Sequence, residues 1–235
     1  MKAAIIAAGT GERLIAGGVD TPKPLLPVGG RPLIARIVDA AARLGLSSVA
    51  CIVNDVKPAV ADYMRSTAWP IPIELTVKTT PSSMESLFSL EPTLRSEPFL
   101  LFTVDVVVGF SALRRFLTEA SELPDTVGVL ALTDYIDDEK PLWVEVDPKF
   151  RITAMGEAAV GSRYVTAGFY YFRPDIFALM AEARARKLSA LRQFLGLLTA
   201  GGQLLRGLAV AKTIDVDYPE DIHKAEAFLR EMGEL

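Results

Sequence analysis

Just after an apolar run at the N-terminus stand Ala7, Ala8, Gly9, Thr10, Gly11, Glu12, Arg13 and Leu14. Glycines at 9 and 11 let the backbone approach a ligand that any Cβ would hold off, so amide N–H groups can face phosphate oxygens. Leu14 replaces the third glycine of a dinucleotide fingerprint and no Lys-Ser/Thr pair follows, so neither that motif nor a Walker loop is formed. A tight turn without a ligand is the competing reading of these residues taken alone. Asp105 follows the apolar run 99–104 and is expected at the carboxyl end of a central strand, where open α/β sheets place their ligands. A carboxylate there suits Mg²⁺, which takes one or two protein carboxylates and completes its shell from substrate phosphates and water. Capping the following turn is the alternative. Asp215 and Asp217 lie two apart on an extended segment and point to the same side, so both could face that metal. Asp217, close before Pro219, serves equally as a helix N-terminal cap, and the sequence leaves the two roles open.

The surrounding elements must bring these residues together. Strand-length apolar runs at 2–8, 49–53, 73–78, 99–104 and 127–132 alternate with helical periodicity at 33–44, 58–65, 82–94 and around Leu113, Phe116 and Leu117. That order calls for a mostly parallel sheet covered by helices. Segment 9–30 reads as a Gly- and Pro-rich loop, and Ser82 and Glu85 have capping-box spacing. Residues 143–147 and 152–155 alternate about Pro148 and Lys149 as an antiparallel hairpin. A strand at 165–172, helices at 174–186 and 190–199, one long strand at 204–216 and a helix at 219–232 complete the pattern. In that last helix Ile222, Ala225, Ala227, Phe228 and Leu229 are available for burial. The expected fold class is α/β: a single Rossmann-like domain, a mostly parallel mixed sheet flanked by helices, with a small antiparallel insert. The pattern divides into a first part at about 1–130, an insert at about 131–175, and closing helices and strand at 176–235.

Composition narrows the partners. A net charge of -4 over 235 residues offers no general attraction to nucleic acid or to an anionic membrane, so any anion site must be local. No apolar run reaches about 18 residues, the length of a membrane helix. Cys51 is the single cysteine and sits in an apolar strand, which fits a core thiol in a reducing compartment; a cytoplasmic location is expected. The only histidine, His223, falls on the polar side of the last helix.

The run continuing from the glycine loop, Thr21, Pro22, Lys23, Pro24, Leu25, Leu26, Pro27, Val28, then Gly30, Arg31, Pro32, Leu33, Ile34, resembles the signature of the sugar-phosphate nucleotidyltransferases, or nucleotide-sugar pyrophosphorylases, with their MobA-like, GT-A-like fold. The resemblance implies that Ala7, Ala8, Gly9, Thr10 and Gly11 wrap a nucleoside triphosphate. It gives Arg13 the departing phosphates and Lys23 the reacting α-phosphate as catalytic residues. Electrostatics agrees, since one Arg, one Lys and preorganised amides stabilise charge gathering at the phosphorus. Asp105 and Asp215, with Asp217 beside it, correspond to the family's metal ligands, although Val104 stands where a glycine is usual. Segment 79–87, with Thr80, Ser82 and Ser86, occupies the place of base and ribose recognition, in a Ser-rich form closer to phosphocholine cytidylyltransferases. Gly168 and Tyr170 fall on the strand that lines the family's acceptor pocket.

The implied activity is transfer of NMP from an NTP to a sugar 1-phosphate with release of pyrophosphate and Mg²⁺ as cofactor. The alternatives are a cytidylyltransferase acting on phosphocholine or another alcohol phosphate, and a non-catalytic nucleotide-sugar-binding regulatory subunit. Retention of Arg13, Lys23, Asp105 and Asp215 together speaks against the last. The sequence is compatible with a homo-oligomer and does not fix the base, the acceptor or the oligomeric state.

Overall fold

A computed structural model describes residues 1–123, 125–137 and 139–235. The chain opens with β1 (Lys2–Ala7), a short helix α1 (Glu12–Ala16), a single 3₁₀ turn at Lys23–Leu25, and the small hairpin β2 (Pro27–Val28) and β3 (Arg31–Pro32). Then follow α2 (Leu33–Arg43), β4 (Val49–Val53), α3 (Pro58–Ser66), β5 (Ile73–Val77), α4 (Ser83–Ser89), α5 (Glu91–Leu94) and β6 (Phe99–Thr103). The middle of the chain holds β7 (Val106–Val107), α6 (Phe110–Ser121), β8 (Gly128–Thr133), β9 (Trp143–Val146), β10 (Ile152–Met155) and β11 (Tyr164–Phe172). It closes with α7 (Met180–Ala185), α8 (Leu191–Ala200), β12 (Leu205–Ala209), β13 (Ile214–Asp215) and α9 (Pro219–Glu231).

The main sheet has nine strands, in the order β10-β9-β11-β6-β1-β4-β5, with β8 and β12 joined to the other edge of β11. Parallel pairs link β6, β1, β4 and β5, and β8 to β12, while β11 is antiparallel to β6, β8 and β9. Only β10 and β11 therefore run against the others among the described strands, the mixed but mostly parallel sheet that the alternating pattern requires. Both faces are covered. Along β1, Ala3, Ile5 and Ala7 join one core with Cys51, Phe102 and the apolar side of α2, while Ala4 and Ile6 join the other with Leu101, Phe99 and Phe194. Burial on both faces explains why these strands read as continuous apolar runs.

A third, smaller cluster positions the chemistry. Leu14 of α1, Leu26, Val28 and Leu33 pack with Val107 of β7, Ile214 and Val216, and Phe228 and Leu229 of α9. Leu14, Leu26, Val107, Ile214 and Val216 each lie within three residues of a charged candidate in sequence, so their burial together draws Arg13, Lys23, Asp105, Asp215 and Asp217 into one region.

Several expectations are corrected. Segment 9–30 is not a plain loop, since α1, the 3₁₀ turn and β2 lie within it. The helix expected over 82–94 is two, broken at Leu90 ahead of Pro92. The helix expected over 174–186 begins as a 3₁₀ helix, Pro174–Leu179. The single strand expected over 204–216 divides: β12 extends the main sheet beside β8, whereas β13 leaves it to pair with β7. Ala227 is exposed, and Cys51 is buried as expected.

Candidate active site

The carboxyl ends of β1, β4, β5 and β6 open onto one cavity of about 610 Å³. Ala8, Gly9, Thr10, Gly11 and Arg13 line it from the first loop, Thr80, Ser82 and Ser86 from the loop after β5, and Lys23 from the 3₁₀ turn. Ala7 is buried inside β1 and lines neither this cavity nor its neighbour. Gly11 has φ of 71°, and a Cβ there would lie 3.3 Å from that of Lys23, so the left-handed turn lets the loop sit against the lysine. Beyond β5, the Ser82 hydroxyl accepts from the Glu85 amide at 3.2 Å and caps α4. Thr80 and Ser86 pair through their hydroxyls at 2.6 Å.

Four charged side chains stand at the mouth. Lys23 Nζ donates to Asp105 Oδ2 at 2.9 Å and to Asp217 Oδ1 at 2.5 Å, and Arg13 pairs with the second oxygen of Asp217. The Lys23 side chain is 12% exposed. Burial alone would depress its pKa, but the charges of Asp105 and Asp217 outweigh it and push the ammonium up to about 12. For Asp105, burial is the strongest single influence and favours the neutral acid. The Lys23 charge, with hydrogen bonds from Thr103 and Lys23, overcomes it and holds the carboxyl below its ordinary value.

Asp217 does not cap α9. That helix begins after Tyr218, and the Asp221 carboxylate reaches back to the amides of Asp217 and Tyr218 at 3.1 and 2.9 Å. Capping from Asp221 leaves the Asp217 carboxylate to the cations. Asp215 sits on β13 opposite Val106, and its charge acts on Tyr170. Asp217 is the carboxylate that shares Lys23 with Asp105, and Asp215 stands beside it, lining the adjoining cavity.

A second cavity, of about 340 Å³, adjoins the first, and Arg13, Thr103, Asp105 and Asp217 line both. Its origin is topological. Phe169–Phe172 of β11 pair with β6, but at Tyr164 and Val165 that same edge pairs with β9, and between them lies a register shift containing Gly168. The exchange of neighbours opens the sheet where β6 ends at Asp105. Gly168, with φ of 76°, lines the cavity, but the space a Cβ would need is taken by Val106 at 2.9 Å and Thr103 Oγ1 at 3.1 Å. Its closest constraint is therefore the strand beside it. Tyr170 lines the cavity too; burial raises its phenol to about 12. The far wall carries Asp137, Glu139 and Lys140 from the segment before β9, tied to α9 by Lys224 Nζ to Asp137 at 3.0 Å and Tyr218 Oη to Glu139 at 2.9 Å.

Sequence reasoning missed Asn54, Thr103 and the wall of Asp137, Glu139 and Lys140. Asn54 follows β4 as Asp105 follows β6, so the strand-end rule could have found it; its amide nitrogen lies 3.4 and 3.3 Å from the carbonyls of Ala8 and Gly9. No spacing signal marks the wall, which reaches the cavity through tertiary contacts. His223 is exposed, as expected.

A mostly parallel sheet whose strand ends hold a glycine loop, a buried lysine and paired aspartates, with a second cavity adjoining, is an arrangement suited to nucleotidyl transfer. The chain belongs to the family of the MobA-like NTP transferase domain, whose model matches residues 3–197. A CMP-5'-(3-aminopropyl)phosphonate synthase of Streptomyces rubellomurinus is 30% identical over 159 residues, which is 60% of this chain and 25% of that protein. A UTP–glucose-1-phosphate uridylyltransferase of Haloferax volcanii is 23% identical, covering 98% of this chain and 97% of the relative. The chain thus spans a quarter of the first relative and nearly all of the second. Among solved structures, the inositol-1-phosphate CTP transferase of T. maritima superposes with a TM-score of 0.83 at 20% identity, over 99% of this chain and 96% of the other. UDP-glucose pyrophosphorylase complexed with UDP-glucose does so with a TM-score of 0.80 at 17% identity, over 98% of each. At these identities the structural likeness is one of fold.

Proposed function

We propose that the chain transfers a nucleotidyl group from a nucleoside triphosphate to a sugar 1-phosphate and releases pyrophosphate. One observation carries this reading: a loop-and-lysine cavity and a second cavity meet at Arg13, Thr103, Asp105 and Asp217. A triphosphate in the first places its α-phosphorus at that junction, and an acceptor phosphate in the second reaches it without crossing protein. Lys23, ammonium throughout the physiological range, stabilises charge gathering on the α-phosphate. Arg13 offers its fork to the departing phosphates. The phosphate oxygen of the acceptor is already a nucleophile, so no side chain need act as general base.

Two hard-oxygen carboxylates sharing one ammonium lie close enough together to hold a single Mg²⁺, which needs no more from the protein. Asp105 and Asp217 are the residues proposed to hold it; when bound, it neutralises phosphate charge and orients the triphosphate.

A second reading, cytidylyl transfer to an amine-bearing alcohol phosphate or phosphonate, is favoured by the acceptor cavity. Away from the junction, Asp137, Glu139, Asp215, Glu220 and Asp221 line it against Lys140, Arg192 and Lys224. That excess of negative charge suits a cationic tail, and the Streptomyces relative is named for such a product. Pyrophosphate release from five triphosphates against glucose 1-phosphate, mannose 1-phosphate, inositol 1-phosphate, phosphocholine and 3-aminopropylphosphonate separates the two readings. Release with no pair of substrates would end both.

A further inference from the structure

A third cavity, of about 280 Å³, shares no lining residue with the other two and lies between α2, the start of α6 and the end of α9. Its floor is apolar, formed by Phe102, Val106, Val107, Leu113 and Leu229. Its rim is cationic, with Arg31, Arg36 and Arg43 set against Asp39 and Glu234. Arg31 is held in a fork by Asp39 at 2.9 and 2.9 Å, and Arg36 donates Nε and Nη2 to the Val28 carbonyl at 2.9 and 2.6 Å. Arg43 is differently placed. Its guanidinium lies 3.7 Å from the centroid of the Phe110 ring and forms no hydrogen bond or ion pair among the described residues. A planar guanidinium fixed on an aromatic face keeps its donors available in the plane, the geometry that receives a carboxylate or phosphate.

An oxyanion of the chain itself already sits at this place. The Phe110 amide, first in α6, donates to Glu234 Oε1 at 2.7 Å, and the Glu234 charge also acts on Arg36. The floor bears on the active site: Val106 and Val107 pair with Asp215 and Ile214, so the cavity backs the two strands that continue from Asp105 and lead to Asp217.

We propose that this cavity is a second ligand site, for a small organic oxyanion whose charged end meets Arg43 and Arg36 in competition with Glu234 and whose apolar body lies on the Phe102–Val106–Leu229 floor. The volume suits a ligand about the size of one substituted ring, at the small end of ligand pockets.

Calorimetric titration of phenyl phosphate into the full chain tests it. Saturable binding is expected, weakened at least tenfold by Arg43→Ala and tightened about threefold by Glu234→Gln, with inorganic phosphate at least tenfold weaker because it leaves the floor uncovered. Arg43 is exposed, so its truncation leaves the fold intact. Benzoate run in parallel decides between a phosphate ester and a carboxylate, and either upholds the site if it shows the same dependence on Arg43. Absence of saturable binding, or binding indifferent to both substitutions because the probe has entered the active site, overturns the proposal.

Discussion

Burial is the largest single influence on both Lys23 and Asp105, and the charges and hydrogen bonds of their partners together outweigh it. Asp105 is held below its ordinary value of 3.8, so its contribution to stability is present above that value and is lost as pH falls. Lys23 is raised to about 12, so its contribution is full below 10.5 and is lost as pH rises through 12. The wild type should therefore show a flat urea midpoint from about pH 5 to 9, declining on the acid side. Lys23→Met reverses the sign at Asp105. Burial, the largest influence on that carboxyl, is then unopposed by its nearest cation and raises its pKa, so the variant gains stability on acidification from pH 7 to 5. A midpoint that stays level or falls over that range would contradict the assignment. The same variant should lose about 10²- to 10³-fold in kcat, the magnitude seen when one preorganised donor to a developing charge is removed. Gly11 and Asp105 were legible from residue type and position, whereas Arg13 and Lys23 were legible only through the family resemblance of the run 7–34. That Asp217 is not the cap of α9 was not legible, because it depends on Asp221 taking that place, a contact that spacing alone does not distinguish from a first-turn charge.

At the scale of elements, the reliable signals were those that a strand or helix carries within itself. Segments 49–53 and 99–102 are apolar throughout because both faces of the sheet are covered, and Ser82 caps α4 as its spacing to Glu85 announced. Segment 204–216 failed because its apolar residues serve two partners: Leu205 packs in the main core beside β8, whereas Ile214 and Val216 belong to the small cluster with β7 and α9. Periodicity reports burial and not which neighbour provides it. The exchange of β6 for β9 along one edge of β11 was hidden for the same reason, although it opens the second cavity. Gly168→Ala tests its importance. The substitution combines a left-handed backbone with a Cβ 2.9 Å from that of Val106, and should cost about 1–3 kcal/mol by thermal or urea unfolding. It should also slow turnover by displacing the strand that follows Asp105. A variant with unchanged stability and kcat would show that the bulge can be accommodated elsewhere.

Over the whole molecule, the two cavities meet on charges that the protein already balances internally, and this fixes what a divalent ion can do. No group of three or more His, Cys, Asp or Glu among the described residues could hold a metal unaided. Asp105 and Asp217 are neutralised by Lys23 and Arg13, so an ion arriving alone must compete with two cations for two carboxylates. A triphosphate changes the balance. It offers Lys23 and Arg13 new anionic partners, releases the carboxylates from them, and adds its own oxygens to the ion's shell. Binding of the two is thus coupled, and each strengthens the other by the same factor. In thermal unfolding, millimolar Mg²⁺ alone should leave the Tm within about 1 °C of its starting value. The preferred triphosphate alone should raise it modestly, and the two together should raise it by more than the sum of the separate shifts. EDTA should stop pyrophosphate release while leaving the Tm of the protein without substrate unchanged, since Lys23 and Arg13 already neutralise the two carboxylates. In Asp217→Asn one carboxylate no longer competes for Arg13 and Lys23, so metal-free triphosphate should bind more tightly while its coupling to Mg²⁺ collapses. A full stabilising shift from Mg²⁺ alone, or strictly additive shifts, would mean that the metal site exists before the nucleotide arrives and that the salt bridges among Arg13, Lys23, Asp105 and Asp217 do not gate it.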